Sequence, residues 1–469
     1  MNYPNLKIYN TLSGKKDIIR PLKDKKINLF VCGPTVYDFS HIGHARTYII
    51  FDCFVKYLKH IGFKVFYLQN ITDVDDKIIL RAKERGVLAQ DLALAYEKEH
   101  LKDMKALGVD SVNKYARATD YIKEIINQVE RLLEKGYAYK LEDGIYFDIS
   151  KSSDYGKLSG RTALQAEDSV SRIDYSKNKK NRGDFCLWKL KDHPGEPSWP
   201  SPFGEGRPGW HIEDTAITEE FFGAQYDIHG GSRDLIFPHH EAEIAQMESL
   251  SGKQPLAKYW MHTGFLTFDE QKMSKSLSNF ITIKSFLERY TVQQMRFWFA
   301  KNLWRSPLDY SESTMVEIRS ALEKVEEFLR KIKNQNSSNK SKSIKAIINQ
   351  TKREFYKNLS DDFNTPKAFA SVFNLIKKTN KLLDKNLVNK KDAAQIYKFF
   401  EEIDSIFGII DFKKLKQSSI PNEVKKLIEE REKYRKNKEW EKADLTRKEI
   451  EKYRYSVQDG KNGPIIKKM

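Results

Sequence analysis

The chain has 469 residues, 40% hydrophobic and 12% aromatic, enough for about three domains with substantial cores. Its formal net charge of +17 points to a polyanionic partner, and its 3 cysteines, Cys32, Cys53 and Cys186, exclude a disulfide framework. With no signal core at the amino end and no apolar run of membrane-spanning length, a reduced, cytoplasmic chain without membrane contact is expected.

In chain order, Lys7 to Arg20 reads as a β lead-in with a Ser-Gly turn. Ile27, Leu29, Phe30 and Val31 form an apolar strand ending at Cys32 and Gly33, and Pro34 stops it. From Ala45 to Lys59, Ile49, Ile50, Phe54, Tyr57 and Leu58 recur at helix spacing, and Lys64 to Leu68 reads as a second strand. Strand, helix, strand is a βαβ unit whose ligand site lies at the carboxyl end of the first strand. His41 and His44 sit there, on one face of the helix start, and Gly43 between them leaves room for a base or phosphate. Two imidazoles at the positive end of a helix suit a polyphosphate, although an imidazole cap beside a packed imidazole would give the same four letters.

Asp73, Asp75 and Asp76 read as an acidic helix start, and one charged helical stretch is expected from Asp91 to Lys135 with Gly136 as its stop. Gly144 to Asp148 is strand-like, the run to Lys180 is a polar insertion, and Cys186 lies in an apolar run, Asp184 to Trp188, as a small buried hydrophobe. Two dense stretches follow, Gly206 to Ile217 and Tyr226 to Gln246. In the second, Gly230 and Gly231 would let a ligand approach the backbone, Asp234 could accept from a ribose hydroxyl, and His239 and Glu243 share a helix face. Lys272-Met273-Ser274-Lys275-Ser276 puts two ammonium groups on a hydroxyl-rich loop, a clamp for developing phosphate charge. Ser285 to Leu303 reads as one amphipathic helix; Ser311 to Ile332 and Ile344 to Ile410 are largely helical. Glu423 to Tyr453 is a charged helical pair around Trp440, and the last segment has strand-like ends about a turn.

HIGH followed by KMSKS resembles the class I aminoacyl-tRNA synthetases. CGPTVYD, NITDVDDKI, DFCLWK, GRPGWHIE, DIHGG and FPHHE narrow the resemblance to the cysteinyl-tRNA synthetase family, from Lys7 to the carboxyl end. It implies ATP-dependent activation of L-cysteine to cysteinyl-adenylate and transfer to tRNA(Cys). The expected fold is α/β, a Rossmann-like parallel-sheet nucleotide-binding domain over 1–114 and 226–265 with a connective insertion over 115–225. The KMSKS and stem-contact region then covers 266–310, an anticodon-binding type of helical bundle 311–412, and a small anticodon-recognition part 413–469.

By the same resemblance, His41, Gly43, His44, Gly230, Gly231, Asp234 and Lys275 would hold ATP and its magnesium, and His41, His44, Lys272 and Lys275 would serve catalysis. Gly33, Thr35, Thr72 and Trp210 would surround the cysteine. The family binds one zinc ion in the amino-acid pocket; Cys32, His239 and Glu243 match three of its ligands, and Asp214 stands where the family's fourth, a cysteine, would end GWHIEC. Aspartate is a legitimate, harder zinc ligand. Arg435, Trp440, Asp444, Arg447 and Asp459 would read the anticodon, and a monomer is expected. A related enzyme class joins cysteine to an amino sugar by the same adenylate chemistry, but the helices and basic tail from Glu423 to Met469 argue against it, and intact HIGH and KMSKS argue against a non-catalytic RNA-binding chain.

Overall fold

The computed structural model describes residues 5–161, 176, 178–268, 271–272, 280–338, 342–417, 421–460 and 463–468. They fall into two compact units, 1–410 and 411–469.

In the first unit, β1 (Lys7–Asn10) and β2 (Lys15–Ile18) form an antiparallel hairpin. The apolar run expected as the first βαβ strand is β3 (Lys26–Val31), in which Ile27, Leu29, Phe30 and Val31 are fully buried. The chain continues through α1 (Ile42–His60) to β4 (Lys64–Ile71). α1 begins at Ile42, three residues before the spacing predicts, because the His41 side chain caps it by accepting from the Gly43 amide.

Beyond α2 (Asp76–Arg85) and α3 (Ala89–Ala106), the single charged helix expected to Lys135 is interrupted. Lys114–Arg117 is strand β5, paired to β4, and the helix resumes only as α4 (Ile122–Glu134). Four residues with one buried alanine carry no visible alternation; pairing with a neighbouring strand makes them β. The boundary expected at 114/115 therefore falls inside a strand. The acidic start of α2 is as expected: Asp75 caps it, and Asp76 pairs with Lys189 and Arg207.

Strands β6 (Ala138–Lys140), β7 (Gly144–Phe147), β8 (Phe185–Leu190) and β9 (Gly206–Pro208) make a separate antiparallel sheet, with Cys186 buried in it. After α5 (Ile212–Phe222), β10 (Tyr226–Ser232) returns to the main sheet, and α6 (Glu241–Ser251) leads to β11 (Ala257–Thr263). The main sheet is parallel throughout, in the order β11-β10-β3-β4-β5. From β3 the chain steps outward one way and from β10 the other, so their carboxyl ends form the switch point where such sheets bind ligands.

Beside it lies a small sheet of β12 (Leu266–Phe268), β13 (Gln271–Lys272) and β14 (Leu308–Tyr310). The one helix expected over Ser285 to Leu303 is two, α7 (Ile283–Arg289) and α8 (Val292–Ala300). Tyr290 is extended, and Thr291 starts α8 with a capping box to Gln294, a local signal the apolar spacing conceals. Helices α9 (Glu312–Lys333), α10 (Lys342–Ser360), α11 (Thr365–Leu383) and α12 (Lys390–Phe407) form the bundle. Buried Arg296 ties it to the nucleotide fold, donating to the Phe407 carbonyl at 2.6 Å and to Asp52 at 2.8 Å.

The second unit holds α13 (Phe412–Gln417), α14 (Asn422–Lys436), α15 (Trp440–Lys452) and an antiparallel hairpin of β15 (Tyr455–Gly460) and β16 (Gly463–Lys468) around a core of Val424, Ile428, Ile450 and Val457.

Candidate active site and metal centre

A cleft of about 400 Å³ opens at the switch point. Cys32, Gly33 and Thr35 line it from the end of β3, His41, Gly43 and His44 from the start of α1, and Asp234 from beyond β10. His41 closes the cap of α1 at 3.0 Å, its own amide faces Nδ1 of His44 at 3.4 Å, and the two rings stack with centroids 3.8 Å apart. The capping reading of HIGH is thus realised, and the cap holds both imidazoles at the positive helix end inside the cleft. The Ile42 amide donates to the Ile281 carbonyl at 3.0 Å and Phe280 meets the His41 ring edge-on, so the segment that follows the lysine loop is pinned to this turn. Lys272 ends β13; Lys275 lies outside the described residues.

A second cluster sits beside Cys32, where Nε2 of His239 faces three acceptors at once. Asp214 Oδ2 is 3.0 Å away, Glu243 Oε1 3.1 Å and Cys32 Sγ 3.5 Å. All four side chains are buried. The other ring nitrogen of His239 lies 2.8 Å from Nδ1 of His211, and Trp210 stacks on the ring at 4.3 Å. Asp214 Oδ1 and both Glu243 oxygens are buried without a hydrogen-bond partner, the 3.1 Å approach of His239 lacking the geometry of one. Burial, then the charges of Asp214 and Glu243, pushes the Cys32 thiol well up; burial, then Asp214 and Glu213, does the same to Glu243. Burial and the neighbouring His239 hold His211 well below the usual histidine range. A thiol, an imidazole and two carboxyls converging in a buried site with orphaned oxygens form a donor set for a divalent cation. His229 and His240 extend the cluster, each combining with some of these groups at metal-binding spacing.

Other expected residues are arranged differently. Gly230 and Gly231 are buried within β10 and are not among the residues lining the cleft: a Cβ on them would strike the Phe51 ring at 2.3 Å and the His240 ring at 2.7 Å. Their missing side chains serve packing. Gly33 likewise passes so close to β4 that a Cβ would sit 1.7 Å from the Asn70 carbonyl. Thr35 bridges Thr72 main chain to main chain, while the Thr72 hydroxyl is buried and donates to Glu213. Asp234 is exposed and accepts from Ser232.

His211, Glu213 and Asn70, which the sequence reading does not single out, contact the candidate residues His239, Thr72 and Gly33. His211 and Glu213 stand in the same GWHIED stretch as Trp210 and Asp214, a signal overlooked because only the flanking letters were read as chemistry.

In the second unit Asp459 pairs with Arg435 and, at 2.9 Å, with buried Arg431, and these bonds hold its carboxyl well below the usual range. Trp440 is 58% exposed at the start of α15, and Arg447 lies 3.6 Å from Glu451. No described helix is long and apolar enough to cross a membrane.

The sequence matches the family described as tRNA synthetases class I (C) catalytic domain over residues 18–320, and the DALR domain over 354–411. The cysteine–tRNA ligase of Thermoplasma volcanium is 45% identical over 452 residues, covering 96% of this chain and 97% of its own. That of Methanococcus maripaludis strain C7 is 42% identical over 480 residues, covering 99% of each. Among solved structures, the methionyl-tRNA synthetase of Mycobacterium tuberculosis bound by methionyl-adenylate superposes with a TM-score of 0.62 at 14% identity, over 82% of this chain and 92% of that one. A leucyl enzyme of Agrobacterium radiobacter K84, in a ternary complex with tRNA, gives 0.64 at 10% identity, over 86% of each chain. At such identities these two speak for the fold alone.

Proposed function

The chain belongs to the cysteine–tRNA ligases, class I aminoacyl-tRNA synthetases, and from that premise we infer how its own residues activate cysteine and select it. The observation that carries the reading is the adjacency of the two clusters, with Cys32 belonging to the buried donor set and also lining the cleft that holds His41 and His44.

A cysteine carboxylate oxygen attacks the α-phosphorus of ATP; the bond to the β-phosphate breaks, and pyrophosphate leaves with the electron pair. A ribose hydroxyl at the 3′ end of tRNA(Cys) then attacks the activated carbonyl and AMP departs. No covalent enzyme intermediate is needed, so the protein contributes position and charge. His41 and His44 meet the phosphates with the positive end of α1 behind them, and Lys272 and Lys275 add cationic charge as pyrophosphate separates. Magnesium accompanies the triphosphate. Asp234 takes the ribose hydroxyls. Gly33, Thr35 and Trp210 enclose the amino acid, and Thr72 holds Thr35 from behind.

Cys32, Asp214, His239 and Glu243 would hold one zinc ion. When bound, zinc offers a soft thiolate preference that serine's hydroxyl cannot match, where shape alone separates the two by only about 1–3 kcal/mol. Three acceptors facing one ring nitrogen favour direct ligation by Asp214. In the terminal unit Arg435, Trp440, Asp444, Arg447 and Asp459 form the anticodon-reading face, where an exposed indole and guanidinium groups suit unstacked bases. The enzyme acts as a cytoplasmic monomer.

The test is cysteine-dependent ATP–pyrophosphate exchange with serine as competitor, then charging of tRNA(Cys). Exchange with cysteine and not serine, followed by charging, is expected; equal exchange with serine would sink the selection mechanism, and exchange without charging would sink the anticodon assignment.

A further inference from the structure

Just past His41 and His44, α1 carries an arginine that the mechanism above does not use. Arg46 is 2% exposed, and its guanidinium grips four main-chain carbonyls. Nη1 donates to the carbonyls of Gly264 at 2.9 Å and Phe265 at 2.7 Å; Nη2 donates to that of Trp304 at 3.4 Å and to that of Ser306. Among the described residues no carboxylate pairs with it. Burial lowers its pKa to about 10, so it remains cationic at neutral pH. Keeping a guanidinium buried without a counter-ion is costly, and a planar fork with four filled acceptors fixes geometry as an ammonium cannot.

The carbonyls come from two segments that close on each other. The Gly264 amide donates to the Trp304 carbonyl at 3.0 Å and the Leu308 amide to the Phe265 carbonyl at 2.9 Å. A Cβ on Gly264 would lie 2.2 Å from the Ser306 carbonyl oxygen, so only glycine permits the approach. Immediately beyond, β12 and β14 pair in parallel, Leu266 against Leu308, and β12 pairs antiparallel with β13, which ends at Lys272. Gly264, Phe265 and Leu266 line the same cleft as His41 and His44.

We propose that Arg46 is a positioning residue for cysteine activation: it sets the separation between the helix end that presents His41 and His44 and the cleft wall Gly264–Leu266. The proposal rests on the reading that ATP binds between them. Small misplacements of reacting groups cost rate steeply. The amino-acid side is built on other elements, the end of β3 and the turn before α5, so the effect belongs to the chemical step and to ATP, not to cysteine.

The experiment is single-turnover adenylate formation on full-length Arg46→Lys and Arg46→Gln, with metal content, thermal midpoint and cysteine KM measured alongside. The expected result is a rate at saturating substrates lower by about tenfold or more per folded molecule, with cysteine KM and metal content kept. Gly264→Ala, which wedges the same joint while leaving the guanidinium, should repeat that signature. Arg296→Lys is the control: it loosens another buried guanidinium, none of whose partners lines the cleft, so it should lower the midpoint and keep the rate. Rates within twofold of the parent in the Arg46 variants would overturn the proposal. So would kcat and cysteine KM changing together, the same loss in Arg296→Lys, or unrecoverable Arg46 variants beside a Gly264→Ala that folds and reacts like the parent. A parent without cysteine-dependent exchange would instead refute the ATP reading itself.

Discussion

Nε2 of His239 lies 3.0 Å from Oδ2 of Asp214, both side chains wholly buried, and the same nitrogen faces Cys32 and Glu243. Two roles for Asp214 fit an aspartate so placed, direct ligand or hydrogen-bond partner of a ligand histidine. Its own orphaned Oδ1, and the engagement of the other His239 nitrogen by His211, favour the first. After dialysis, elemental analysis should find zinc in the parent and little in either Asp214→Ala or His239→Ala, with ATP binding retained. An outer partner would cost only about 10–100-fold in affinity and leave a tight site filled. Full zinc in Asp214→Ala with none in His239→Ala would therefore reverse the assignment.

Lys275→Ala should depress adenylate formation far more than it weakens cysteine binding, because a charge that matters as pyrophosphate departs acts chiefly on the transition state. Single-turnover measurement at saturating ATP and cysteine checks this. A rate within about twofold of the parent, well under 1 kcal/mol, would remove the lysine from the mechanism.

Removing residues 411–469, one of the two compact units, should leave cysteine-dependent pyrophosphate exchange nearly intact while charging of tRNA(Cys) collapses. The cleft is built wholly within residues 1–410, whereas affinity for RNA is spread over phosphate and base contacts. Filter binding at rising salt should give a shallower slope for the shortened chain. Full charging efficiency would show that the terminal unit reads no RNA.

Stability should fall on the acid side through His100. Its ring is fully buried, held by Ser40 Oγ at 3.1 Å on Nδ1 with no partner on Nε2, between the edges of Tyr48 and Tyr115. Burial lowers its pKa from 6.5 to about 4. As pH falls from 6.5 toward 4 the unfolded chain takes up a proton that the native state refuses, so stability contributed above that window is lost within it, on the order of 3 kcal/mol. Thermal midpoints of parent and His100→Gln across pH 4 to 7 should converge as pH falls. Parallel curves would mean the ring is protonated in the fold at little cost.

How much of this was legible beforehand differs by element. HIGH, KMSKS and GRPGWHIE are contiguous, so the family resemblance they carry, and with it the implied activity and the implied candidates Cys32, Asp214, His239 and Glu243, could be drawn from the sequence. The β3–α1–β4 unit was equally plain, because its hydrophobic periods are long and uninterrupted. Strand β5 was hidden inside charged sequence, since a short strand earns its identity from the neighbour it pairs with. The break before α8 turns on one extended residue, Tyr290, and a capping hydroxyl. Gly230 and Gly231 read as an opening for a ligand, yet the rings of Phe51 and His240 occupy that space, a fact of through-space packing. The convergence of three acceptors on one nitrogen of His239, and the hold of Arg46 on carbonyls more than two hundred residues away, likewise exist only once distant segments meet. Local chemistry is written in short spacing; burial, orphaned polar atoms and contacts across the chain are properties of the packed fold.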